Sequence, residues 1–186
     1  MVEIENKYRV SDWTALRATL AAWGASGDAV RRDTDHYFNA PDRDFAETDE
    51  AFRIRRIGTK NLLTYKGPKR DSSVKIRTEH EVEIAAGAEN AATMVKILAG
   101  LGYRPVAVVA KSREVFHFTR HGLTWEACLD DVGAVGKFVE IETLAEENAV
   151  NAARTLLLQV AAELGLDAPE KNSYLQLLLN QPRAGS

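Results

Sequence analysis

Ionisable residues line one side of seven segments in this chain: Glu3, Glu5, Lys7 and Arg9; Arg53 and Arg55; Lys66; Lys75, Arg77, Glu79, Glu81 and Glu83; Lys111 and Arg113; Glu126 and Asp130; Glu140 and Glu142. They fall into blocks of one sign, such as Glu-x-Glu at 3/5 and 140/142, Arg-x-Arg at 53/55 and Lys-x-Arg at 111/113. Like charges two apart on a strand lie roughly 7 Å apart on one face, and stability alone would mix the signs. Carboxylate pairs offer the hard oxygen donors that Mg2+ or Mn2+ take. Arg and Lys pairs suit a polyphosphate, the guanidinium through fork-like hydrogen bonds. A metal ion bridging carboxylates to phosphate makes a phosphoryl or nucleotidyl transfer site, with catalysis by positioning and charge neutralisation.

Strands must present these groups. Residues 2–10 alternate without a break, so period two predicts a strand. Ser11 is placed to cap a helix whose apolar face is Trp13, Leu16, Leu20 and Trp23. Further strands are expected at 34–38, 52–57, 62–66, 74–84, 105–118, 123–129 and 137–143, and helices at 88–101, 146–164 and 173–180. The acidic segment 41–50 reads as a loop, either solvated surface or a lid. A solvated face accounts for one charged strand. Seven such strands, with opposite faces apolar enough to seat helices, point their charges inward. The expected fold is α+β: a closed eight-stranded antiparallel β-barrel, a tunnel with a charged lumen and helices packed outside. One domain spans residues 1–180, followed by a frayed tail at 181–186.

The 186 residues suit one domain, and 24 Lys+Arg against 27 Asp+Glu give a net charge of −3. That balance provides no global field for nucleic acid. Cys128 is the only cysteine, which excludes an intrachain disulfide and a cysteine-based zinc site. No apolar run approaches the roughly 20 residues that span a bilayer. No basic-then-apolar leader opens the sequence, so the expectation is a cytoplasmic protein without a membrane partner. Gly133-Ala134-Val135-Gly136-Lys137 is a turn and not a P-loop, because Phe138 stands where Ser or Thr is needed. The Leu175–Leu179 run is expected to pack as a terminal helix, with a homodimer contact as the alternative.

The ordered motifs resemble a known family. Glu3-Ile4-Glu5-Asn6-Lys7 matches the Glu-x-Glu-x-Lys signature of the CYTH superfamily, the triphosphate tunnel metalloenzymes. Phe52-Arg53-Ile54-Arg55, Leu63-Thr64-Tyr65-Lys66, Glu79 to Glu83, Lys111-Ser112-Arg113, Leu129-Asp130-Asp131 and Val139-Glu140-Ile141-Glu142 follow in the family's order. Ser173-Tyr174-Leu175 resembles the ending of the cyclase-like branch. The resemblance implies metal-side groups at Glu3, Glu5, Asp130, Glu140 and Glu142. Glu81 and Glu83 join the charged clusters there, with Glu79 competing for the alignment. It implies catalytic, phosphate-side groups at Lys7, Arg53, Arg55, Lys66, Lys111 and Arg113, with Arg77 as a further contact. It further implies Mg2+ or Mn2+ as cofactor and a triphosphate as substrate. The activity implied is that of a class IV adenylyl cyclase. The alternatives are a triphosphatase acting on thiamine, nucleoside or inorganic triphosphate, and a non-catalytic polyphosphate binder.

Overall fold

A computed structural model describes residues 2–68 and 75–182. The strands are β1 (Val2–Val10), β2 (Ser26–Gly27), β3 (Arg31–Asn39), β4 (Ala51–Ile57), β5 (Lys60–Lys66), β6 (Lys75–Arg77), β7 (Glu79–Ile84), β8 (Arg104–Arg120), β9 (Leu123–Asp131) and β10 (Lys137–Ala145). The helices are α1 (Thr14–Ala22), α2 (Ala88–Gly100), α3 (Val150–Glu163) and α4 (Tyr174–Leu179). The strands form one antiparallel sheet in the order β6-β1-β10-β9-β8-β3-β4-β5-β7, with β2 added to β8. The architecture is α+β, a curled antiparallel sheet with α1, α2 and α3 against its outer side; α4, expected outside with them, lies on the concave side, where Tyr174 reaches Asp130.

Alternation explains the layering. The apolar faces of β1, β8, β9 and β10 meet α1 and α3 in a core that includes Ile4, Leu20, Trp125, Ile141 and Leu157. All five are fully buried, each contributing about 1.5–3 kcal/mol. A second cluster seats α2 through Ala91 and Leu98 on Phe38 and Ile54. A third gathers Tyr174 of α4 with Tyr37, Val109 and Phe138. Leu175, Leu177 and Leu178 pack against that third cluster, while Leu179 is exposed. The charged faces are left for the concave side.

Several boundaries differ from expectation. β3 begins at Arg31, not 34, and so carries Arg31 and Asp33 as well as Asp35. Ser11 does not cap α1. Trp13 occupies the cap position, and the Asp12 carboxylate accepts from the Thr14 amide at 2.8 Å. The 146–164 helix starts only at Val150, after a 3-10 turn at Glu147–Ala149. The segment expected as one strand at 74–84 is interrupted at Thr78; residue 74 lies outside the described residues. Its first part pairs with β1 (Glu3 opposite Arg77) and its second with β5 (Lys66 opposite Glu79). The β8–β9 hairpin turns on His121 and Gly122, both at positive φ (51° and 77°), the geometry of a two-residue turn whose twist matches its strands. Among the described residues, no helix is long and apolar enough to cross a membrane. Of the expected tail, 183–186 lie outside the described residues.

Candidate active site

The concave side of the sheet encloses a cavity of about 480 Å³. Fourteen of the charged side chains singled out from the sequence line it: Glu3, Glu5, Lys7, Arg53, Arg55, Lys66, Arg77, Glu79, Glu81, Lys111, Arg113, Glu126, Glu140 and Glu142. β1 and β10, near opposite ends of the chain, pair so that Glu5 faces Glu142 and Lys7 faces Glu140.

The acids and bases sort into two neighbourhoods. In the first, carboxylate oxygens of Glu3, Glu5 and Glu142 lie within 4.8 Å of one another. Burial, with the charges of Glu5 and Glu79 added, pushes the Glu3 carboxyl up to about 8 against the pull of Lys66. Burial, with Glu5 and Glu140, pushes Glu142 up to about 7 although Arg113 opposes it. Lys66 spans this neighbourhood, its Nζ 2.9 Å from Glu3 and 2.7 Å from Glu79. Burial disfavours the Lys66 charge, but Glu5 and Glu3 outweigh it and raise its pKa.

In the second neighbourhood the cations are fixed by carboxylates beneath them. Arg55 makes a two-pronged contact with Asp35 at 2.7 and 2.8 Å, and Arg53 reaches the same carboxylate at 3.3 Å. Burial works against the Asp35 charge, but the two guanidinium groups hold its carboxyl well below the usual range. Asp130, fully buried, accepts from Arg113 Nε at 2.7 Å, Lys111 Nζ at 2.9 Å and the Tyr174 hydroxyl at 2.8 Å. Arg113 also meets Glu140. Lys7 donates to the Asn172 carbonyl at 2.5 Å and sits 4.0 Å from the centre of the Tyr174 ring. Burial and the adjacent Arg113 lower the Lys111 pKa. Fixed cations of this kind form a preorganised electrostatic site for an anion.

Two of the cavity-lining arginines carry a buried donor that is not satisfied. Arg53 Nε and Arg77 Nε have no hydrogen-bond partner among the described residues. A buried unmet donor costs about 1–3 kcal/mol, and a polyphosphate oxygen would meet it. The Glu3–Glu5–Glu142 trio fits a divalent cation for the complementary reason: three oxygen donors of like charge, two with raised pKa, are relieved by a hard positive ion.

Two sequence-derived residues fall elsewhere. Glu83 is not among the cavity residues; it pairs at 3.1 Å with Lys60, both side chains half exposed. β7 runs along an edge of the paired order, and its far end leaves the concave side. Asp130 lies under the cations rather than beside the acid trio. Glu81 is at the exposed rim, accepting from the Thr64 hydroxyl at 2.8 Å. Glu79, set aside in the alignment, is the deeper acid. Sequence reasoning missed Asp35 and Tyr174. The run Arg31-x-Asp33-x-Asp35-x-Tyr37 carried the period-two signal for Asp35, whereas nothing local marks Tyr174 as reaching Asp130.

The profile of the CYTH domain matches residues 1–174. A protein of Methanocaldococcus jannaschii named "Putative adenylate cyclase" is 33% identical over 180 residues, covering 95% of this chain and 98% of that one. The adenylate cyclase CyaB of Aeromonas hydrophila is 28% identical over 188 residues, covering 94% of this chain and 87% of that one. The solved structure of the PH1819 protein from Pyrococcus horikoshii superposes with a TM-score of 0.82 at 37% identity, covering 95% of this chain and 98% of that one.

Proposed function

Because the chain belongs to the CYTH family, we propose that its cavity binds ATP with Mg2+ or Mn2+ and converts it to cyclic AMP and pyrophosphate. The observation that carries the polyphosphate part is that Arg53 and Arg77, each with a buried Nε that has no partner among the described residues, line a cavity that also holds an acid trio. The names of the two relatives support the cyclase part.

In this reading the sheet works as a closed tunnel. Support comes from the short connection at Thr78, which joins a segment paired with β1 to one paired with β5. Lys7, Arg53, Arg55, Lys66, Arg77, Lys111 and Arg113 hold the phosphate chain. Asp35 and Asp130 fix four of those cations, so little reorganisation is needed as charge builds on the departing pyrophosphate. Glu3, Glu5 and Glu142 would hold the divalent ion, which supplies Lewis-acid polarisation of phosphate oxygens. The ATP 3′-oxygen attacks the α-phosphorus, the bond to the β-phosphate bridging oxygen breaks, and the 3′-hydroxyl proton leaves to solvent. The cationic wall orients the chain and takes up the leaving group's charge.

A product assay tests this. Incubation with ATP and Mg2+ or Mn2+ is expected to yield cyclic AMP and pyrophosphate. ADP and phosphate would mean water attacking the γ-phosphorus, a triphosphatase, and would overturn the cyclase reading. Binding without any product would leave a polyphosphate binder.

A further inference from the structure

Among the cavity cations that meet a carboxylate, Arg77 is the one whose described partner comes from a loop and not a strand. Its Nη2 is 3.5 Å from Oδ1 of Asp49, with the Arg77 side chain 10% and the Asp49 side chain 40% exposed. The contact is long beside the 2.7–2.9 Å of good charge-assisted hydrogen bonds, and Arg77 Nε has no partner among the described residues. Asp49 has a left-handed backbone, φ 54°. The chain around it is anchored independently. Glu50 accepts from Arg43 at 2.8 and 2.9 Å and also meets Thr48 and Tyr65. The Asn39 side chain accepts from the Phe45 amide at 2.7 Å, and Phe45 is buried. Those anchors hold the Asp49 carboxylate at the cavity wall, where Asp49 and Arg77 are both lining residues.

We propose that Asp49 is an internal stand-in for phosphate: it occupies Arg77 in the free protein, the incoming polyphosphate displaces it, and the competition sets the affinity of the site. This rests on the polyphosphate reading above. A phosphate group carries more charge and more acceptor oxygens than one carboxylate, so it can take both the Nη2 that Asp49 holds and the Nε that Asp49 leaves unmet. An anion that takes Arg77 Nη2 must break the Asp49 contact, so the contact lowers the affinity of the site.

The test is calorimetric titration of inorganic tripolyphosphate, with Mg2+ present, into the full chain. Asp49→Asn removes the charge and keeps a residue that tolerates the left-handed backbone. It is expected to tighten binding about two- to fivefold, the scale of a partly exposed ion pair. Asp49→Gly, which also tolerates that backbone, should repeat the gain. In an Arg77→Gln background the gain should vanish, because the two residues act through one contact. Glu47→Gln, an exposed acid of the same loop outside the cavity lining, changes net charge equally and should leave affinity as it was. Unchanged or weaker binding by both Asp49 variants would overturn the proposal. So would an equal gain from Glu47→Gln, or a gain that persists without Arg77. Absence of tripolyphosphate binding by the unmodified protein would instead bring down the polyphosphate reading itself.

Discussion

Asp130 and Glu142 are both inward carboxylates on neighbouring strands, yet their surroundings assign them opposite energetics. Asp130 is surrounded by donors: Lys111, Arg113 and Tyr174. Asp130→Asn leaves buried cations without their counter-charge, and removing one partner of a buried ion pair costs about 3–5 kcal/mol. Glu142 instead faces Glu5 across the β1–β10 pair, and its carboxyl is pushed up to about 7 by burial and neighbouring acids. Glu142→Gln should therefore stabilise the ligand-free protein at pH 8 by about 1–2 kcal/mol while lowering metal-dependent turnover steeply. Thermal melts of the two variants beside activity assays check this. A destabilised Glu142→Gln would show that the acid trio is not under repulsion. The same residues set a pH dependence. Glu3 and Glu142 hold protons in the folded protein up to about 8 and about 7, against 4.5 for an ordinary Glu. Between pH 5 and 8 the unfolded chain therefore binds fewer protons, and stability falls as pH rises. Asp35 is ionised in both states throughout that window and adds no slope. Melting in EDTA should show Tm decreasing from pH 6 to 8, and Mg2+ or Mn2+ should raise Tm more at pH 8 than at pH 6. A Tm that is flat or climbs over this range in EDTA would refute the assignment.

At the scale of elements, the shortest helix matters most to the site. α4 has six residues, too few to be stable alone. Ser173 and Gln176 form a reciprocal capping box at its start, and the helix delivers Tyr174 to Asp130, while the preceding Asn172 carbonyl receives Lys7. Ser173→Ala removes the acceptor for the Gln176 amide and should cost about 1 kcal/mol, a Tm decrease of about 2–4 °C. A raised KM for the triphosphate should accompany it, because Lys7 loses its anchor. Unaltered Tm and KM would mean that packing against Phe138 holds α4 without the cap. β3 was legible in part: its alternation extends to Arg31, but two successive arginines blur the start, so Asp33 was cut from the expected strand. The split at Thr78 was not legible, since 74–84 alternates evenly and only the two different pairing partners divide it.

For the whole molecule, polar contacts that line the cavity join residues far apart in the chain, such as Lys66 with Glu3 and Lys7 with the Asn172 carbonyl. The cavity exists only when the entire sheet has formed, so ligand binding should stabilise the fold as a unit. A ligand at 100 times its Kd adds about 2.7 kcal/mol, about 5–10 °C in Tm for a chain of this size. Tripolyphosphate and Mg2+ together should raise Tm more than the sum of their separate effects, because each neutralises the charge that the other needs opposed. Purely additive shifts in a thermal melt would place the acid trio and the cationic wall at unrelated sites.

Period-two placement of charge is visible in the sequence, and it named most of the charged side chains that line the cavity, because a strand's geometry fixes which side chains share a face. Helix faces such as Leu16 with Leu20 were equally visible, since burial follows a local repeat. Which carboxylate meets which cation was not visible. Glu140 turns to Arg113, Asp130 is enclosed by donors, Glu142 joins Glu3 and Glu5, and Glu83 leaves for Lys60. Those outcomes depend on cross-strand register and on the curl of the sheet. Both are set by pairing between separate segments, near ones such as β5 with β7 and ones more than a hundred residues apart such as β1 with β10, and no local periodicity encodes them.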